Sequence, residues 1–215
     1  MKKIFSVGGF LLILFLTLSP ITVRALTFNL DYLYDGTISP LGASPWLNAT
    51  FQDDTTTGGV ILTLSSTNLI ANENVASWFF NFSPDISGIV PIQASGPLSQ
   101  ISIGEQNAQR AGSASGFDIA FSFNQGFAAN QSAVFSLFGE GLSASSFDFV
   151  NQGGSFYSAA RILGIGTNAS SAWIADSQGT GPGPGPTPVP EAATIILLGL
   201  GLGGLTVFSS KRKTA

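Results

Sequence analysis

Residues 26–178 are predicted to form an all-β domain, an antiparallel β-sandwich of jelly-roll type. Three features of the sequence predict it. Residues 26–32 and 117–123 alternate apolar and polar side chains without a fault, the period of a strand with one buried face. Short strand-like runs recur at 60–64, 78–82, 133–138, 147–150 and 171–175. Clusters of turn-forming residues, such as 53–59 and 151–154, stand between them. No stretch of this domain carries a helical stripe, although residues 105–111 could form one turn. Phenylalanine dominates the aromatics, with 18 copies against three tryptophans and three tyrosines. Its rings are expected to fill the space between the sheets. The segments Ala114-Ser-Gly-Phe-Asp118 and Ala144-Ser-Ser-Phe-Asp148 repeat after thirty residues and read as two strands with similar inward positions. Two copies are too few for a solenoid.

The two ends differ from the middle. Lys2 and Lys3 precede an apolar run over 4–18, Ser19-Pro20 breaks it, and Val23-Arg24-Ala25 offers a cleavage site. That order predicts a helical signal peptide over 1–25, removed between Ala25 and Leu26 by signal peptidase after export through the general secretion machinery. Residues 192–208 form a second uncharged run. As a helix its seventeen residues would span about 25 Å, enough for a short transmembrane helix. Lys211, Arg212 and Lys213 follow it and, by the positive-inside rule, stay in the cytoplasm with the domain outside. Residues 179–188 alternate glycine and proline, which predicts an extended linker without helix or sheet.

Val189-Pro190-Glu191, the glycine-rich apolar span and the tail Lys211-Arg212-Lys213 together resemble the PEP-CTERM sorting signal. The resemblance covers roughly residues 188–213, with Ala192 standing where the family's second proline lies. It implies a sorting unit over 189–213 that is recognised by an exosortase, a membrane protease. The run 143–176 is similar to ectodomains that precede such signals, which implies an address and not a reaction.

Charge and composition narrow the middle domain. Residues 26–188 hold two bases against eleven acids, a formal charge of −9, so nucleic acid is a poor partner. The chain has no cysteine and no histidine, which excludes thiol nucleophiles, Ser-His-Asp relays and His/Cys zinc sites. Glu73, Glu105 and Glu140 are the glutamates a glycosidase pair would draw on, but nothing in their spacing brings two together. Asp53 and Asp54, in a threonine- and glycine-rich turn, could offer oxygens to calcium, as could Asp31 with Asp35. An acidic hairpin turn is the more ordinary reading. No other cofactor is expected. Trp46, Trp78 and Trp173 with Tyr32 and Tyr34 could form a sugar-stacking platform, although such tyrosines more often pack half-buried. The expected role is an exported, non-catalytic surface or matrix protein, structural or adhesive. A carbohydrate-binding module held in extracellular polysaccharide is the alternative, and a glycoside hydrolase the third.

Overall fold

The computed structural model describes residues 23–104, 107–176 and 183–184. The signal run before residue 23, Glu105, the sorting segment 189–213 and most of the Gly/Pro linker lie outside them. Among the described residues no helix is long and apolar enough to cross a membrane.

The strands are β1 (Ala25–Asp35), β2 (Leu47–Asp54), β3 (Gly59–Ser65), β4 (Asn74–Phe80), β5 (Val90–Ser95), β6 (Gln100–Ile103) and β7 (Gln109–Ala111). They continue as β8 (Ala114–Phe117), β9 (Ile119–Ala128), β10 (Ser132–Phe138), β11 (Ser158–Ile165), β12 (Ser170–Asp176) and β13 (Gly183–Pro184). The fold is all-β and antiparallel, as the alternation predicts. Its main strands share one continuous sheet in the order β5-β10-β3-β2-β1-β12-β11-β4-β9-β6, while β7 and β8 form a separate ribbon. The first and last strands of that order, β5 and β6, are consecutive in sequence and joined by residues 96–99. So short a link spans at most about 18 Å. The sheet therefore curls until its two edges approach, leaving a nearly closed wall around one core.

The core is aromatic. Phe28, Phe51, Phe80, Phe121, Phe127, Phe135 and Phe147 are fully buried inside the wall, with Trp78 among them. Phe51 stacks on Phe147 at 4.0 Å between centroids and meets Phe80 edge-on at 5.1 Å. Rings packed this way add to their area burial through their quadrupoles. A second, smaller cluster lies on the outside of the wall. There the β7–β8 ribbon roofs β4, β9, β11 and β12, burying Phe79, Phe117, Phe156, Ala159 and Ala175. Tyr34 packs into this cluster and its hydroxyl donates to the Ala111 carbonyl at 2.8 Å. The ribbon turns at Gly112, where φ is +58° and a Cβ would stand 2.7 Å from the Trp173 ring, so only glycine fits.

Three expectations need correction. Residues 147–150 are not a strand. Ala144–Phe147 is a 3-10 turn, stabilised because the Asp53 carboxylate accepts the Ala144 N–H at 2.7 Å and the Ser146 hydroxyl accepts the Ser143 N–H at 3.1 Å. The thirty-residue repeat accordingly pairs a strand, β8, with a helical turn rather than two strands. Residues 109–111, read as part of a helical turn, are strand β7. Within the Gly/Pro run, Gly183 and Pro184 pair antiparallel with Thr27 and Leu26 of β1. A proline without an N–H is tolerated at such an edge.

Candidate functional site

The acidic residues were the sequence's main candidates, and the structure assigns most of their oxygens to the backbone. Asp53 accepts from Ala144 N at 2.7 Å and from Arg24 N at 3.2 Å. Asp54 caps the β2–β3 hairpin, accepting from the N–H of Thr56 at 2.9 Å and the Thr57 hydroxyl at 2.6 Å. The hydrogen bond from the Thr57 hydroxyl above all, and that from Thr56 N–H, hold its carboxyl below the usual range. This is the geometry of an acidic hairpin turn. Asp35 accepts from Ser113 N at 3.2 Å. Among the described residues no three carboxylates gather into a metal-binding group.

Glu73 is almost fully buried and clips two loops together, accepting from Leu41 N at 2.7 Å and Ile70 N at 3.0 Å. Glu140 is exposed beyond β10. Neither is set opposite a second glutamate among the described residues. The aromatic platform does not assemble either. Trp46 is buried with its indole N–H on the Gly42 carbonyl, and Trp78 is buried with its own on Ser158. Trp173 lies between Phe79 and the Arg161 guanidinium, 5.8 Å from the ring centre. Tyr32 and Tyr34 do share a strand face, both against Phe156, and of the two only Tyr32 is exposed.

Two carboxylates that the sequence did not single out are also buried. Asp118 is buried and accepts from Asn107 N at 2.6 Å and Phe82 N at 3.0 Å, tying the start of β9 to the chain after β4. Asp176, the last residue of β12, is also buried and accepts from Ser158 N at 2.8 Å and Tyr157 N at 2.9 Å. Burial pushes its pKa up to about 7 against the lowering effect of those N–H groups, and Asp31 adds a small further rise. Asp31 sits at a bulge in β1, where the register with β12 slips between Leu30 and Tyr32. Its Oδ1 is buried without a hydrogen-bond partner. Nothing in local sequence marks Asp176, because its partners come from a strand eighteen residues earlier.

A groove of about 550 Å³ opens at the seam of the sheet, between the β5–β6 link at Gly96, Pro97 and Leu98 and the bulged part of β9 at Asn124 and Gly126. No carboxylate and no aromatic ring lines it.

The predicted cleavage point falls inside folded structure. Ala25 and Leu26 pair with Gln52 and Phe51 of β2, and the Arg24 carbonyl accepts from Asp53 N at 3.0 Å. Backbone already paired in a sheet ladder leaves few free N–H and C=O groups for a protease, so any cleavage there would have to precede the pairing of β1 with β2.

The remaining candidates lie in the C-terminal segment. A family model, described as the PEP-CTERM protein-sorting motif, matches residues 188–213. The chain carries a PEP-CTERM sorting motif. The match spans Val189, Pro190 and Glu191 at one end and Lys211, Arg212 and Lys213 at the other. PEP-CTERM signals are recognised by exosortase, so the motif marks this protein for exosortase-dependent sorting towards the cell surface. No curated protein and no solved structure matches the chain.

Proposed function

We propose that this PEP-CTERM protein is cut near Pro190-Glu191 by an exosortase and that its ectodomain acts outside the cell as a non-catalytic structural or adhesive module. On this reading residues 192–208 cross the membrane as a temporary helix, and the basic tail holds the C-terminus in the cytoplasm. The sorting motif carries the first half of the proposal. The observation that carries the second is the fate of the buried carboxylates. Glu73, Asp118 and Asp176 each accept two backbone N–H groups, which makes them clips between loops and strands rather than free acids in a cleft. The curled sheet facing itself across the phenylalanine core supports describing the ectodomain as sandwich-like, with jelly-roll character.

The exported protein is therefore expected to release no reducing sugar from a panel of neutral and acidic polysaccharides, across the pH range where Asp176 titrates. Release of reducing ends that disappears in Glu73→Gln or Asp176→Asn would replace this reading with a glycoside hydrolase.

A further inference from the structure

The outside of the curled sheet is covered on one half and bare on the other. Over β4, β9, β11 and β12 the β7–β8 ribbon seals an apolar cluster. Over β2, β3, β10, β5 and the first half of β1 no described element lies, while the end of β1 at Tyr34 and Asp35 meets the ribbon. The register of these five strands fixes which side chains form the bare face. Asn29, Asn48, Ser65 and Ser132 stand in one row across the strands. Thr27, Thr50, Thr63, Val134 and Ser95 make the next, and Ala25, Gln52, Ile61, Ser136 and Ile92 the third. Phe138 and Val90 close the corner. Each of these residues is exposed or half-buried, whereas their alternating neighbours Ala49, Phe51, Leu62, Leu64, Phe135 and Leu137 are in the core.

Three properties of this face bear on what would cover it. It carries no charge within its rows. The acid in register with it, Asp54, sits at the hairpin rim and is held by Thr56 and Thr57. Part of its polar surface is already paired, with Thr27 Oγ1 3.1 Å from Thr50 Oγ1 and Asn48 donating to Asn29. Its free margin is apolar: Val90 and Ile92 are each 55% exposed and Leu98 beyond them is 86% exposed. Patches of this kind are where soluble proteins meet partners.

We propose that this face is a self-association surface, at which the outer sheets of two copies of the ectodomain pack against each other. The proposal deepens the adhesive reading above by naming the partner. Charge selects a second copy. With −9 over residues 26–188, two copies meeting elsewhere would bring carboxylates together, and here they do not. Five strands about 4.8 Å apart and about six to seven residues long, each rising about 3.4 Å, cover roughly 500 Å² in plan. With the relief of the side chains and the Leu98 rim, that approaches the roughly 800 Å² per partner of a stable interface. Pro91, the second residue of β5, removes an N–H from the edge strand and works against edge-to-edge pairing, which favours face-to-face packing as the mode. The face holds no tryptophan or tyrosine on which a sugar ring would stack, and its one aromatic, Phe138, is half-buried.

Sedimentation velocity of the exported, processed protein over a concentration series tests this. Wild type is expected to pass from monomer to dimer. Ile92→Lys, which sets a cation on each copy at the apolar margin, is expected to weaken association by at least about tenfold with an unchanged thermal midpoint. Thr63→Lys, at the centre of the face, gives the same reading if the first variant folds poorly. Ile70→Lys, exposed in the loop between β3 and β4, should associate as wild type does. Wild type remaining monomeric throughout, or Ile92→Lys and Thr63→Lys associating as well as wild type, would overturn the proposal. So would retention of a monomeric wild type, but not of these variants, on a neutral polysaccharide. None of these results bears on cleavage at Pro190-Glu191, so the two readings can fail separately.

Discussion

Asp176→Asn is expected to stabilise the ectodomain at pH 8 and to flatten its stability profile between pH 4 and pH 7. The native carboxyl titrates at about 7, against 3.8 when unperturbed, because it is buried. Between those values the native state holds a proton that the unfolded chain has lost, so stability falls as pH rises through this window. Above pH 7 the whole penalty is present. A shift of this size corresponds by linkage to at most about 4 kcal/mol, and relaxation around the charge reduces it to about half. Asparagine keeps an oxygen for the N–H groups of Tyr157 and Ser158. It also removes the negative charge that opposes Asp31. Asp176→Ala serves as the contrast: it strands two buried N–H groups, and a loss of about 1–3 kcal/mol is expected at low pH, shrinking at pH 8 where alanine also removes the cost of the buried charge. Urea unfolding of wild type and both variants at pH 5 and pH 8 separates these outcomes. An Asn variant less stable than wild type at pH 8 would show that the native carboxylate is stabilising as the anion.

The second large effect concerns sorting. Replacing Pro190 and Glu191 with alanine is expected to trap nearly all of the protein as a full-length membrane form. On the proposed reading, proline at 190 disfavours the helical region for the residue before it, which would suit a protease that needs an extended segment. Alanine at both positions lets helix propagate outwards from the apolar span and removes the one acid of the motif. Deleting Lys211, Arg212 and Lys213 should act differently, disturbing orientation and leaving precursor unprocessed, because the basic residues fix which side the tail occupies. Immunoblots of membrane and surface fractions read both. Normal release of the alanine variant would mean that these residues are not what the enzyme recognises.

How much of this was legible in the sequence differs by element. The alternation over 26–32 marked β1, which has one face in the core and one largely outside it, and that over 119–123 marked much of β9, where Ile119, Phe121 and Phe123 face the core and the small Ala120 and Ser122 face away. β11 was harder: residues 158–160 are buried on both sides, under the β7–β8 ribbon and over the core, so alternation is lost there. Ala144–Phe147 looked like a strand because its apolar content matched one. Its turn depends on Asp53, ninety-one residues away. The same distance problem hid Asp118 and Asp176, whose roles rest on N–H groups delivered by other strands. Asp53 and Asp54 were legible as an acidic turn, since Asp54 bonds only to its immediate neighbours. The bare outer face needed the register. Thr27, Thr50 and Thr63 are unremarkable in sequence and become a row only when β1, β2 and β3 are aligned. By contrast, Pro190, Glu191 and Lys211 to Lys213 were readable at once, because a sorting signal is read along the extended chain and needs no fold to assemble it.

Intact-mass and peptide mass spectrometry of the wild-type protein from the surface fraction tests the account most directly. The expected product begins at Leu26, lacks residues 192–213 and ends near Pro190-Glu191. Recovery of a main species carrying peptides through Phe208 would mean that the C-terminal segment is a permanent anchor, and the sorting reading would be contradicted.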